Sequence, residues 1–188
     1  MASIPIVSEI AEAIKFLPNA LKEIPAEQTK ARKEILEAVT DVAEAVSQAL
    51  NIVSVRCGQI ILNQDNLPEF RKQLVDSPLF LNEFRLGGVC HKLGNVRAEL
   101  RTILNMKRLS LRLFYKKRLE SLLKQIQHKE RDLEEDFDIF FRELSMRAIT
   151  LKQSEVPEIV QYLKDCRQEF EQDVQTIRSA MRTIENTL

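Results

Sequence analysis

The sequence predicts an all-α protein: an elongated antiparallel four-helix-type bundle with a jointed N-terminal helical segment. Apolar residues recur at steps of three and four along four long stretches, the spacing that gathers them on one face of a helix. Strand-like alternation of apolar and polar residues is scarce. Four Gly, six Pro and two Tyr in 188 residues, with no Trp, are also few for a β-sandwich, which needs turn residues about every 8–12 positions. The length suits one well-buried core. Residues 1–25 are therefore expected to form a short amphipathic segment, and residues 26–188 a single helical bundle.

Pro5 opens the N-terminal segment, and Ile6, Ile10, Ile14 and Leu17 fall on one face before Pro18 stops it. A second piece, 19–24, ends at Pro25. Proline suits a first helical turn and disrupts an interior, which makes the segment jointed. The first long helix is expected over 26–63, with a seam of Ile35, Val39, Val42, Val46, Leu50, Val53, Cys57 and Ile60. At 1.5 Å per residue it would be roughly 55 Å long, so the bundle is elongated. Gly58 weakens it slightly near its end.

The polar stretch 63–66 reads as a turn, and Asn66 or Leu67 with Pro68 starts a short helix to about Val75. Ser77 and Pro78 mark another start, Ser as N-cap and Pro as first helical residue. The second long helix carries Leu86, Val89, Leu93, Val96, Leu100 and Ile103. Gly87, Gly88 and Gly94 interrupt it; each costs up to ~1 kcal/mol against Ala, which points to close packing or a kink. The third pattern runs through Leu111, Tyr115, Leu119, Leu122, Ile126, Leu133, Phe137, Phe140, Leu144 and Ala148. Joined to the second it would span about 110 Å, so a reversal near 105 is expected. The last helix is expected to have Ser154 as cap and Pro157 in its first turn, with Glu155 and Glu158 at the positive end of its dipole. Its seam is Ile159, Leu163, Cys166, Phe170, Val174, Ile177, Met181, Ile184 and Leu188.

Helical bundles can carry metal centres built from Glu-x-x-His pairs on facing helices. The two histidines, His91 and His128, follow Gly88 and Gln125 at that spacing, so those ligand pairs are missing. Cys57, Cys90 and Cys166 are odd in number and widely spaced, as expected of buried free thiols in a reducing compartment. Paired cysteines, a His-Glu-x-x-His helix, an EF-hand loop and a phosphate-binding loop are all lacking. Gly87, Gly88 and Gly94 follow a helical stretch and not a strand, so they read as packing or a hinge. The acidic run 132–138 reads as a solvated face, with Leu133 and Phe137 turned to the core. The reading is a non-enzyme: no catalytic residue, no metal and no cofactor.

Charge is the sharpest signal. Residues 92–131 hold 12 Lys/Arg against 3 Asp/Glu, whereas 1–91 hold 9 against 12 and 132–188 hold 7 against 13. The chain is neutral overall, yet a basic band lies between two acidic flanks. Arg97, Arg101, Lys107, Arg108, Arg112, Lys116, Lys117 and Arg118 make up the band's centre, and Arg108, Arg112 and Lys116 share one helical face. A helix beginning near Met106 would place these cations against its own dipole, so helix stability does not explain them. Neighbouring acidic helices, an acidic partner or an anionic lipid surface do. Nucleic acid is disfavoured, because only Phe114 and Tyr115 interleave with the basic residues and no nucleic-acid-binding motif accompanies them.

The membrane alternative draws on two features. Anionic headgroups attract a basic amphipathic helix at about 1 kcal/mol per Lys/Arg near the surface. The stripe of Ile6, Ile10, Ile14 and Leu17, set apart by Pro18 and Pro25, could leave the bundle and insert. This pattern is similar in architecture to helical-bundle cell-death and pore-forming modules, an analogy that rests on no specific motif. The N-terminus lacks the basic start of a secretory signal and carries Glu9 and Glu12. No run approaches the ~18 uncharged apolar residues of a spanning helix. The expectation is a cytoplasmic interaction or signalling module that binds protein partners or further copies of itself. The alternative is a membrane-active bundle, peripheral at an anionic membrane.

Overall fold

The computed structural model describes residues 29–80 and 137–186; within them the chain is 90% helical and contains no strand. Four helices account for most of this: α1 (Thr29–Leu62), α2 (Leu67–Val75), α3 (helical residues 137–149) and α4 (Val156–Glu185). The protein is all-α in these residues. The expected N-terminal segment, the second long helix and the reversal near 105 lie outside them.

α1 is a 34-residue helix, about 50 Å long. Val39, Val42, Val46, Leu50, Val53, Cys57 and Ile60 are all buried, as their spacing predicts. Ala43, Ala45 and Ala49 are buried beside them. These alanines widen the seam to a broad face and let a neighbouring helix approach closely. Thr40 is accommodated by donating its hydroxyl proton to the Leu36 carbonyl at 2.9 Å. α1 stops where the polar run 63–66 begins, and Asn63 Nδ2 donates to the Gln59 carbonyl at 2.9 Å, closing the helix end.

α2 starts as its sequence demands. The Asn66 side chain caps it by accepting from the Glu69 backbone N–H at 3.4 Å, Pro68 occupies the first turn, and Phe70 and Leu74 point inward. The next start differs from expectation. Ser77 does not cap a helix: it opens a 3₁₀ turn, Ser77–Leu79, that follows Asp76. Its hydroxyl is buried and faces two carbonyls, Leu74 at 2.6 Å and Phe141 at 3.0 Å. The hydroxyl is turned to these two carbonyls, and it makes no side-chain cap bond; Asp76 holds the N-cap position of the turn. Ser154 differs as well. A 3₁₀ turn, Gln153–Glu155, precedes α4, and Glu155 occupies the N-cap position. The Glu155 carboxylate reaches back to the Lys152 backbone N–H at 2.6 Å, while Pro157 sits in the first turn of α4 as expected.

α1 and α4 run antiparallel and bury their seams against each other. Ser54 and Gly58 lie beside Arg167, whereas Thr40 and Glu44 share a groove wall with Arg178 and Arg182. Ile159, Leu163, Cys166, Phe170, Val174, Ile177 and Ile184 of the α4 seam are buried, and Met181 is half-buried at its margin. α2, the Ser77 turn and α3 close the end of this pair near Ile60. Phe137, Phe140, Phe141, Leu144 and Ala148 of α3 are buried there. Phe141 meets Phe80 edge-on at 6.0 Å between ring centroids, and Phe140 meets Phe170 at 6.3 Å. Arg71 donates from its guanidinium to the Leu151 carbonyl, fastening α2 to the α3–α4 connection.

Candidate functional site

The basic band (Arg97, Arg101, Lys107, Arg108, Arg112, Lys116, Lys117, Arg118) and the stripe (Ile6, Ile10, Ile14, Leu17) lie outside the described residues. So do Cys90, His91 and His128. Of the acidic run, Phe137 and Asp138 are described. Phe137 is fully buried, and the Asp138 carboxylate accepts from Arg142 Nε at 2.7 Å. An exposed pair of that kind contributes little to stability.

Two thiols and a phenol form the most perturbed titratable cluster in the described core. Cys57 on α1 and Cys166 on α4 are buried and unpaired. Burial pushes the Cys57 thiol up to about 12, with the neighbouring Cys166 adding to the shift. Burial also raises Cys166, to about 11, against the opposing effect of the Tyr162 hydroxyl that hydrogen-bonds its sulfur. Tyr162 is itself pushed up by burial and by Cys166. A nucleophilic cysteine needs a lowered pKa and access to solvent, and these two have neither. Their arrangement suits packing. Among the described residues no group of three or more His, Cys, Asp or Glu could hold a metal ion.

Among the described residues a groove of about 840 Å³ is lined by the flank of α1 and the C-terminal part of α4. On α1 it follows Thr40, Glu44, Ser47, Asn51, Val55 and Gln59, a run at steps of three and four that forms one continuous face. Thr40 to Gln59 covers nearly 30 Å of helix. On α4 the wall is Ile177, Arg178, Met181 and Arg182. Ala43, Ile52, Val55 and Met181 supply apolar surface, and Gln48, Asn51 and Gln59 supply amides. Three arginines, Arg56, Arg178 and Arg182, face one carboxylate, Glu44. Arg56 is already engaged, donating to Gln59 Oε1 at 2.5 Å and lying 4.7 Å over the Phe80 ring.

Sequence reasoning missed this groove. Its two walls are far apart in the chain, and each reads alone as an ordinary polar flank. One usable signal was Ala43 beside Ser47, Gln48 and Asn51, small and neutral residues where a wholly solvated face would carry more charge. No family model, curated protein or solved structure matches the chain.

Proposed function

We propose that this chain is a non-enzymatic interaction or signalling module. It is an elongated antiparallel four-helix-type bundle with a jointed N-terminal segment, binding protein partners or further copies of itself through helix packing and charge complementarity. The observation that carries the reading is the open groove along α1, a surface shaped for contact and furnished with amides, arginines and apolar side chains. The charge segregation supports it: the band of Arg97, Arg101, Lys107, Arg108, Arg112, Lys116, Lys117 and Arg118 offers an anionic partner a second, purely electrostatic surface. The buried, proton-retaining thiols add to it by leaving Cys57 and Cys166 as core residues.

The test is association measured by light scattering across a salt series, on the full chain and on a variant with Arg108→Glu, Arg112→Glu and Lys116→Glu. Binding through the band weakens as the Debye length falls below about 10 Å, and the triple variant loses it with its helical content intact. Association that is indifferent to both salt and charge reversal assigns the contact to apolar packing instead.

A membrane-active bundle is the second reading, and one observation favours it. The Val39–Leu62 stretch of α1 has a mean hydropathy of 1.3 over 24 residues and is long and apolar enough to cross a membrane by length and composition. It also contains Asp41, Glu44 and Arg56, and 44% of its window is buried inside the protein, as in a core helix. Release of Ile6, Ile10, Ile14 and Leu17 into lipid would gain roughly 2 kcal/mol per aliphatic side chain. Deleting residues 1–25 then abolishes leakage of anionic vesicles while the bundle from Ala26 onward persists. Vesicles left unbound and intact by the full chain overturn this reading.

A further inference from the structure

We infer that the α1–α4 groove is a docking site for an acidic amphipathic helix of a partner protein. The inference rests on the interaction-module reading and names the kind of partner one of its surfaces takes. Three properties of the groove carry it.

The first is shape. The α1 face from Thr40 to Gln59 is open and nearly 30 Å long, because it follows one helix at steps of three and four, and Ile177 to Arg182 of α4 flank its Thr40 end. A compact ligand is held by an enclosed pocket that surrounds most of its surface. An open trough beside a helix matches a rod, and a helix of about 20 residues has that length.

The second is the alternation of chemistry across the trough. Val55 is 57% exposed and Met181 is half-buried, and Ile52 is half-buried between them in the lining. These side chains receive an apolar stripe. Gln48, Asn51 and Gln59 along the rim can meet the polar flanks of such a helix. A wholly polar segment would leave the floor uncovered, and a wholly apolar one would strip water from the rim amides without replacing its hydrogen bonds.

The third is charge. Arg178 and Arg182 are exposed and stand one turn apart on α4, and neither guanidinium forms an ion pair or hydrogen bond with a described residue. Arg182 lies in the last turn of α4, where a cation is favourable against the helix dipole. Arg178 stands a turn earlier, so that account covers it less well. Before the two arginines α4 carries an excess of acid: Glu158, Asp165, Glu169, Glu171 and Asp173 against Lys164 and Arg167. Arg178 and Arg182, together with Arg56, give the trough three cations against the one carboxylate of Glu44, a balance that selects carboxylates and repels a basic partner.

The probe is a fluorescein-labelled synthetic peptide of about 20 residues, with leucines at steps of three and four flanked by glutamates, and a counterpart with lysines in place of the glutamates. Anisotropy is read with the full chain, with Arg178→Glu/Arg182→Glu, with Val55→Asp, and with Arg108→Glu/Arg112→Glu/Lys116→Glu; circular dichroism checks that each remains helical. The acidic peptide is expected to bind. The lysine peptide should bind at least about ten-fold more weakly, and both groove variants should weaken the acidic peptide by about ten-fold or more. Reversal of the basic band should leave its affinity within about two-fold. If band reversal abolishes binding and the groove variants do not, the groove is overturned while the interaction module stands. If the acidic peptide fails to bind, or binds no better than its lysine counterpart, the groove inference is overturned outright, and salt-sensitive association of the full chain remains the separate test of the broader reading.

Discussion

Arg167 on α4 lays its guanidinium against Gly58 on α1: a Cβ built at Gly58 would sit 3.4 Å from Arg167 Nη1 and 3.5 Å from its Cζ. That is ordinary van der Waals contact with the flexible end of a side chain, and Arg167 also approaches Ser54 Oγ at 3.5 Å and Glu171 at 3.6 Å. The glycine is therefore not required by space.

Gly58→Ala should stabilise the protein. Alanine in a helix interior is favoured over glycine by up to about 1 kcal/mol, and Arg167 can yield a few tenths of an ångström. A gain of roughly 0.5–1 kcal/mol in chemical denaturation is expected. A loss would mean that the guanidinium is held more rigidly than its partial exposure implies. Gly58→Leu should instead displace Arg167 and destabilise.

The two faces of α3 should respond differently to truncation. Phe141 is buried among Phe80 and Phe140, so Phe141→Ala should cost about 3–5 kcal/mol. Met146 is 70% exposed, and Met146→Ala should change stability by no more than about 0.5 kcal/mol. Urea midpoints for the pair test whether α3 is seated as described; similar losses at both positions would contradict it.

Ser77→Ala removes the donor shared by the Leu74 and Phe141 carbonyls. The buried acceptors then lose a partner, at a cost of about 1–2 kcal/mol. Ser145→Ala is the comparison, because its hydroxyl bond to the Val75 carbonyl is 3.2 Å long and exposed. It should cost less than about 0.5 kcal/mol, and equal losses would sink the distinction.

Alkaline pH should weaken the core through Cys57. Its folded thiol is raised from the ordinary 9.0 to about 12, so the stability it shares with the neutral unfolded thiol is complete below about 9. Above that, the unfolded thiol ionises first and the folded state loses ground until about pH 12. Relative to Cys57→Ala, the wild type should hold a constant difference between about pH 6 and 8 and lose about 1 kcal/mol of it by about pH 10. In the same range both thiols should resist alkylation in the folded protein and react on unfolding.

The seams of α1 and α4 were legible because Val, Ile, Leu and Phe announce burial by their spacing. Ala45 and Ala49 were not, since alanine is at home on either face of a helix; only packing reveals which one it takes. Asn66 and Pro68 marked the start of α2 correctly, because cap and first turn act locally. Ser77 and Ser154 offered the same local signal and were diverted, one towards the Phe141 carbonyl, 64 residues away, and the other by the Lys152–Glu155 contact. Arg178 and Arg182 carry no local signal of a site, and what gives them a neighbour is α1, which no window along the sequence contains. The basic band and the N-terminal stripe remain sequence readings.

The pairing of α1 with α4 also governs the order of events during synthesis. Ser54 and its partner Arg167 are 113 positions apart, and a ribosome adding about 5–20 residues each second needs several seconds to bridge that interval. Throughout it, the face from Val39 to Ile60 has emerged without the helix that covers it. Contacts so distant in sequence slow the final closure. A nascent chain of this design therefore depends on whatever shields an apolar helix in the meantime, and its vulnerability to aggregation should be greatest before α4 leaves the tunnel.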